Sequence, residues 1–212
     1  HRPYLAGNRG ACCIVSRRLF VFDHPSRCIV GAIGEYPDQS YYLQVTQDQQ
    51  LVSVELDALQ LRLIAKRIDQ LLDDVGDYYN LRIPHRSRRL EDLSPLDMPL
   101  DSEFLVGTIG LAWSEEESAV ILELLAFTAG DFDQSLMMSD DAENGPDAVR
   151  ILLRPQLARQ FAHRTAVVYT AGRPLCPLCG EPIGPEGHIC ARLNGYRRDL
   201  SDVIDRLTDY QR

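Results

Sequence analysis

Lysine is almost missing from this chain, since Lys66 is the only lysine among 22 lysine and arginine residues. Schiff-base or general-base lysine chemistry therefore has a single candidate, and it lies inside a predicted helix. Apolar runs of about 20 residues, the length that crosses a bilayer, are missing as well. We find no charged-then-apolar leader, and we therefore expect a cytoplasmic protein without a membrane partner.

Positive charge is also scarce, because 31 acidic side chains face 22 basic ones and the net charge is −9. An acidic surface repels phosphate backbones, so nucleic acid is not the expected partner. Signatures of common enzyme classes are missing too, among them a nucleophile elbow, a phosphate-binding glycine loop and an H-E-x-x-H helix. The sequence therefore names no reaction and no substrate.

The pattern that does indicate chemistry lies near the C-terminus. Cys176 and Cys179 form a C-x2-C pair, and His188 and Cys190 follow after a stretch rich in proline and glycine. This is a ligand set for tetrahedral zinc, and a chain with no secretion signal favours metal binding over disulfides. Four protein ligands would leave no position for substrate or water. The pattern therefore predicts a structural Zn²⁺ bound by all four side chains.

Hydrophobic periodicity predicts an α+β fold. One helix is capped by Asp57 and runs to about Val75, with its apolar side chains on one face. A second helix begins at Pro155, which suits a first turn, and runs to about His163. Runs of apolar and alternating residues predict the strands, which cover 19–22, 28–33, 41–45, 51–56, 104–113, 119–127 and 148–153.

The two halves of the predicted domain resemble each other. The pattern V-G-x-I-G occurs at 30–34 and again at 106–110, and in each half the strands lead to a helix. We interpret residues 16–171 as one domain. Its pseudo-repeat halves are 16–75 and 102–171, joined by a connector at 76–101. The prediction is an antiparallel sheet with both helices covering one face.

Three further segments flank this domain. Residues 1–15 show no periodicity and are predicted to be a disordered leader. Residues 172–198 form the zinc-binding segment. Residues 199–212 predict an amphipathic tail helix, which could dock on the body or contact a partner. The sequence does not indicate the oligomeric state.

Two groups of arginines are candidate anion-binding residues. They are Arg86, Arg88 and Arg89 in the connector, and Arg197 and Arg198 after the cysteines. A solvated loop with arginines paired to nearby acids is the simpler interpretation of the first group.

The main hypothesis is a non-catalytic zinc protein that binds or regulates a protein partner. One alternative is an enzyme of phosphate-ester or nucleotide chemistry, in which the connector arginines act with the carboxylates of 131–147. A second metal bound by those carboxylates also stays open. The other alternative is zinc-dependent binding of nucleic acid through the arginines that follow the cysteines.

Several motifs taken together are specific. They are YLQ at 42–44, DLSPL at 92–96, FLVGTIGL at 104–111, GPDAVR at 145–150, GRP at 172–174, CPLC at 176–179, GHICAR at 187–192 and NGYRR at 194–198. On these motifs the chain resembles a bacterial family known only as a domain of unknown function, from about Arg17 to Arg198. The resemblance implies kinship and an accessory role, but it implies no assigned activity.

Overall fold

The computed structural model describes residues 17–85, 91–130 and 145–192. Within them the chain forms seven strands and two helices. The strands are β1 (Leu19–Asp23), β2 (Arg27–Ile33), β3 (Ser40–Gln47), β4 (Gln50–Leu56), β5 (Ser102–Ser114), β6 (Ala119–Ala126) and β7 (Ala148–Leu153). The helices are α1 (Ala58–Tyr79) and α2 (Pro155–Thr170). The predicted leader at 1–15 and the tail helix at 199–212 lie outside the described residues.

The strands form one mixed sheet in the order β1-β7-β6-β5-β4-β3-β2. Neighbours within β2–β3–β4 and within β5–β6–β7 are antiparallel, whereas β4 pairs parallel with β5 and β1 pairs parallel with β7. The prediction of a purely antiparallel sheet was therefore wrong, although the α+β class is confirmed. The physical reason is α1: a helix between two strands returns the chain to the starting end of the sheet and makes the next strand parallel.

The order of elements is the same in β2–β3–β4–α1 and in β5–β6–β7–α2. The two V-G-x-I-G stretches occupy the first strand of each unit, and each has a glycine that a close neighbour requires. A Cβ atom on Gly31 would lie 2.5 Å from Leu96 Cγ, and one on Gly107 would lie 2.6 Å from Phe127 Cα. The interpretation of the halves as a repeat stays a prediction.

The two edge strands of the sheet are joined by a very short turn. β1 and β2 lie at opposite edges, yet only His24, Pro25 and Ser26 separate them. Six spacings of about 4.8 Å would put the edges of a flat sheet about 29 Å apart, whereas the chain from Asp23 to Arg27 spans at most about 14 Å. The sheet must therefore curl strongly so that the end of β1 meets the start of β2.

The helices pack on each other and share one apolar core with the sheet. At the start of α1, the Asp57 side chain accepts from the Gln60 amide and the Gln60 side chain accepts from the Asp57 amide, at 2.7 Å and 2.9 Å. This reciprocal cap is the predicted start of the helix. α2 starts at Pro155 as predicted but continues to Thr170, because Val168 and Tyr169 still pack against the core.

A buried arginine ties the two helices together. Arg159 of α2 forms ion pairs with Asp69, at 3.0 Å, and with Asp73 of α1. Its Nε donates to the Pro84 carbonyl at 2.9 Å. Since the group is almost fully buried, these partners offset the cost of removing its charge from water.

The connector runs along the edge of β2, held by two arginines. Arg27 pairs with Asp92 at 2.6 Å and with Asp97 at 3.0 Å. Arg164 of α2 donates to the Val30 carbonyl at 2.8 Å. It also donates to the carbonyls of Asp92 and Ser94, at 2.7 Å each. No helix among the described residues is long and apolar enough to cross a membrane.

Candidate metal centre

Two tight turns within residues 174–190 bring the predicted ligands together. In the first turn, the Gly180 amide donates to the Cys176 carbonyl at 2.8 Å, and the Cys176 amide donates to the Glu181 carbonyl at 2.9 Å. Gly180 has a φ of +76°, a backbone conformation that residues with a Cβ atom rarely adopt. In the second turn, the Gly187 amide donates to the Gly184 carbonyl at 2.9 Å.

The four predicted ligand atoms lie within 4.8 Å of one another. The Cys176 and Cys190 sulfur atoms are 3.9 Å apart, and the Cys179 sulfur is 3.2 Å from His188 Nε2. Metal bonds of about 2.3 Å to sulfur and 2.0 Å to nitrogen give tetrahedron edges of roughly 3.8 Å and 3.5 Å. The donor set therefore fits a four-coordinate metal ion, as the sequence indicated.

Backbone amides favour the thiolate form of one cysteine. The Cys179 and Leu178 amides donate to the Cys176 sulfur and lower its pKa to about 7. For Cys179, the Glu181 amide acts to lower the pKa, but burial and the neighbouring thiols Cys176 and Cys190 outweigh it, so that the pKa is raised. A bound cation would remove this repulsion among neighbouring thiolates.

The cysteine segment is attached to the body mainly through Arg173. The guanidinium is buried and lies 4.9 Å from the ring centre of Tyr36 and 4.4 Å from that of Tyr169. It donates to the Tyr169 carbonyl at 2.7 Å and to the Tyr41 hydroxyl at 3.1 Å. The Tyr36 hydroxyl in turn donates to the Ile183 carbonyl at 3.3 Å. The ligand loops are therefore placed against the end of α2 and the β2–β3 loop.

The ligand loops carry apolar side chains that point away from the body. Leu178 lies between the first two cysteines and is 46% exposed, and Ile189 lies between His188 and Cys190 and is 87% exposed. Each of these residues lies between two candidate ligands. A metal ion in the site would hold them in a defined arrangement.

The candidate anion-binding arginines cannot be placed relative to this centre. Residues 86–90, 131–144 and 193–212 lie outside the described part of the chain. This covers Arg86, Arg88, Arg89, Arg197 and Arg198, together with most of the acidic loop 131–147. The alternative in which the connector arginines act with the carboxylates of 131–147 therefore stays a prediction.

The structure contains a concave site that no sequence pattern indicates. A cavity of about 510 Å³ lies between the β1–β2 turn, the start of β2, the connector and the first turns of α2. Its residues come from four separate segments, so they have no common spacing that a motif could show. Beside it, His24 Nε2 lies 3.6 Å from a carboxylate oxygen of Asp23 and 3.6 Å from one of Glu117.

A family model matches residues 20–190, which include all four candidate ligands. The family is described as "Protein of unknown function (DUF3090)". The chain belongs to this family. Membership of DUF3090 confirms the resemblance to an uncharacterised family, while the match does not reach the NGYRR motif at 194–198. No curated protein and no solved structure matches the chain.

Proposed function

We propose that this DUF3090 protein binds one structural Zn²⁺ and acts in the cytoplasm as a non-catalytic binding or regulatory partner of another protein. The observation that carries the proposal is the cluster of four donor atoms within 4.8 Å of one another. The ligands are Cys176, Cys179, His188 and Cys190.

The donor types favour zinc over magnesium and calcium. Three thiolates and an imidazole are borderline-soft ligands, which zinc accepts in a tetrahedral arrangement, whereas magnesium and calcium require oxygen ligands. Zinc has no redox chemistry of its own. It therefore suits a site in which the ion cross-links the segment and catalyses no reaction.

The packing of the segment favours a structural role for the ion. Between residues 174 and 192, Cys176 and Cys190 are the buried apolar residues, and both are ligands. A segment with so little apolar burial cannot offset the entropy lost on ordering its backbone. Metal coordination supplies the missing stabilisation, and four protein ligands leave no place for a substrate.

The exposed side chains of the ligand loops support a role in protein binding. Leu178 and Ile189 are large apolar side chains. Exposing them to water does not stabilise the folded protein, which favours a role in contact with another protein. Zinc would hold both loops rigid, which reduces the entropy cost of binding. The proposed partner has an apolar recess that accepts these two side chains.

Metal analysis of the purified protein tests the zinc site. We expect about one equivalent of zinc, and a loss of nearly all of it in the Cys190→Ser variant. The matched control is Cys28→Ala, which removes a buried cysteine of β2 and should leave the zinc content unchanged. Less than half an equivalent in the wild type, with unchanged stability of Cys176→Ser, would overturn the zinc site.

Capture from the native cell, followed by binding of the purified captured protein, tests the partner role. We expect the double variant Leu178→Ser/Ile189→Ser to keep its zinc and to lose direct binding. The control is Leu59→Ser, an exposed leucine of α1, which should bind as the wild type does. Equal binding by all three proteins would contradict the proposed contact.

A further inference from the structure

The cavity beside α2 has the size and position of a small-molecule site. Its volume of about 510 Å³ lies within the range of roughly 300–1,000 Å³ typical of ligand pockets. It exists because the curled sheet brings the β1–β2 turn next to the connector and α2. None of its lining residues comes from the cysteine segment, so it is separate from the metal centre.

The lining combines apolar and charged side chains. Ile29, Leu157 and Phe161 are the large apolar lining residues, and Leu157 is the one that is partly exposed. The charged lining residues are Arg27, Arg154, Arg164, Glu91 and Asp92. The lining therefore contains three guanidinium groups and two carboxylates. This is a local excess of positive charge in a chain whose net charge is −9. Such a reversal of sign inside a concave site favours an anionic ligand.

One of the three arginines is available to a ligand. Arg27 is paired with Asp92 and Asp97, and Arg164 donates to three carbonyl groups of β2 and the connector. Arg154 is exposed, and its side chain has no ion pair or hydrogen bond within residues 17–85, 91–130 and 145–192. Its charge is therefore not neutralised by the described part of the chain.

Further donors lie at the same wall of the cavity. α2 has no side-chain cap, and the first amide to bond along the helix is that of Ala158, to the Arg154 carbonyl at 2.9 Å. The amides of Gln156 and Leu157 thus have no acceptor among the described residues, and both residues line the cavity. His24 also lines the cavity, and its buried Nδ1 has no hydrogen-bond partner in the described part of the chain.

We propose that this cavity binds a small organic anion, a phosphate monoester or a carboxylate with an apolar body. The charged group is bound by Arg154 and by the amides of Gln156 and Leu157, where the partial positive charge of the helix start adds to the attraction. The apolar body packs against Leu157, which lines the same wall and is partly exposed. The site is independent of the zinc-dependent role proposed above.

Two probes with the same ring test the proposal: phenyl phosphate and benzoate, titrated into the zinc-loaded full-length protein and followed by backbone amide shifts. We expect at least one to bind more tightly than both phenol and inorganic phosphate, because only the combined probe uses both parts of the lining. The largest shifts should be those of the Gln156 and Leu157 amides. Tighter binding of phenyl phosphate identifies a phosphate site, and tighter binding of benzoate identifies a carboxylate site.

Arg154→Gln should weaken the preferred probe by about 10-fold or more, since a hydrogen bond to a charged group contributes roughly 1.5–3 kcal/mol. The matched control is Arg67→Gln, which removes an arginine of α1 that does not line the cavity. Binding of phenol should not change in either variant. The proposal is overturned if neither probe binds below about 10 mM, if Arg154→Gln binds as the wild type does, or if the shifts lie elsewhere.

Discussion

The sheet-and-helix body at 17–171 and the cysteine segment at 172–192 are ordered by different forces. The body buries apolar side chains from all seven strands and both helices in one cluster. The segment buries almost none, and its close contacts join ligand atoms or backbone groups. The difference shows that hydrophobic burial orders the body, whereas the order of the short segment depends on its turns and on the cluster of candidate ligands.

Arginine connects the two regions and has the same task in both. Arg159, Arg164 and Arg173 are buried, and each donates to several oxygen atoms at once. A lysine ammonium cannot supply the planar set of donors with which Arg164 joins three carbonyl groups. The near-absence of lysine therefore agrees with the structural use that this fold makes of guanidinium groups.

The largest effect should come from removing the metal, which acts on the segment alone. In Cys190→Ser, or in the wild type treated with a chelator, we expect the zinc to be lost. Amides at 174–190 should then lose hydrogen-exchange protection while β3 and β6 keep theirs. Structural zinc in small domains contributes about 10–16 kcal/mol at pH 7. Hydrogen exchange measured by mass spectrometry checks this, and joint loss of protection in β3 and β6 would show that the regions are not distinct.

Phe161→Ala should have the next largest effect, and it acts on the body. Removing a fully buried ring from the core costs about 3–5 kcal/mol, because the transfer free energy is lost and a cavity remains. Urea denaturation measures this change, and zinc content per folded molecule should stay near one. The control is Phe127→Ala, an exposed phenylalanine, for which we expect less than about 0.5 kcal/mol. Similar losses in both variants would be evidence against a single shared core.

Arg173→Ala tests the contact between the regions. The loss of two hydrogen bonds and of the contacts with Tyr36 and Tyr169 should cost about 1–3 kcal/mol. Exchange in the segment should become faster while the zinc stays bound. Arg62 also joins the regions, at 3.6 Å from Glu181, but both side chains are exposed. Arg62→Ala should therefore cost less than about 0.5 kcal/mol, and the opposite ranking would mean that the buried contact is not the main attachment.

Asp57→Ala should destabilise only the body, by about 1 kcal/mol, because α1 loses the acceptor of its capping box. Urea denaturation monitored by circular dichroism measures the change. Asp57→Asn retains an acceptor oxygen and should recover most of the loss. Exchange within residues 174–190 should be unchanged in both variants, and a faster rate there would contradict the separation of the regions.

The last expected effect is a pH dependence within the body, and it appears only in acid solution. The hydrogen bond from Arg27 lowers the pKa of Asp92 to about 2 from an ordinary 3.8. A lowered pKa in the folded state stabilises the fold above pH 3.8, and this contribution is lost as the pH falls towards 2. Denaturation measured across this range should show a weaker decline for Asp92→Asn and for Arg27→Gln than for the wild type. Equal slopes would mean that the pair does not contribute.

Much of the secondary structure could be predicted because it depends on local patterns. Asp57 and Pro155 start the helices where their side chains suit a first turn, and alternation located the strands. The end of α2 was misplaced, since Val168 and Tyr169 have no strong helix preference of their own and are held helical by packing on the core. The parallel pairing of β4 with β5 depends on where α1 and the connector return the chain.

The sequence by itself indicated the candidate metal ligands, because the C-x2-C pair lies in one tight turn and the H-x-C pair follows directly after another. Only the tertiary structure decided the curl of the sheet, the partners of the buried arginines and the cavity beside α2. These features join residues that are far apart in the chain, such as Val30 with Arg164. The stability of these contacts depends on packing between distant segments, which the spacing of residues along the chain does not show. The spacing of ligands can be read directly, whereas a site assembled from four segments exists only once the sheet has curled.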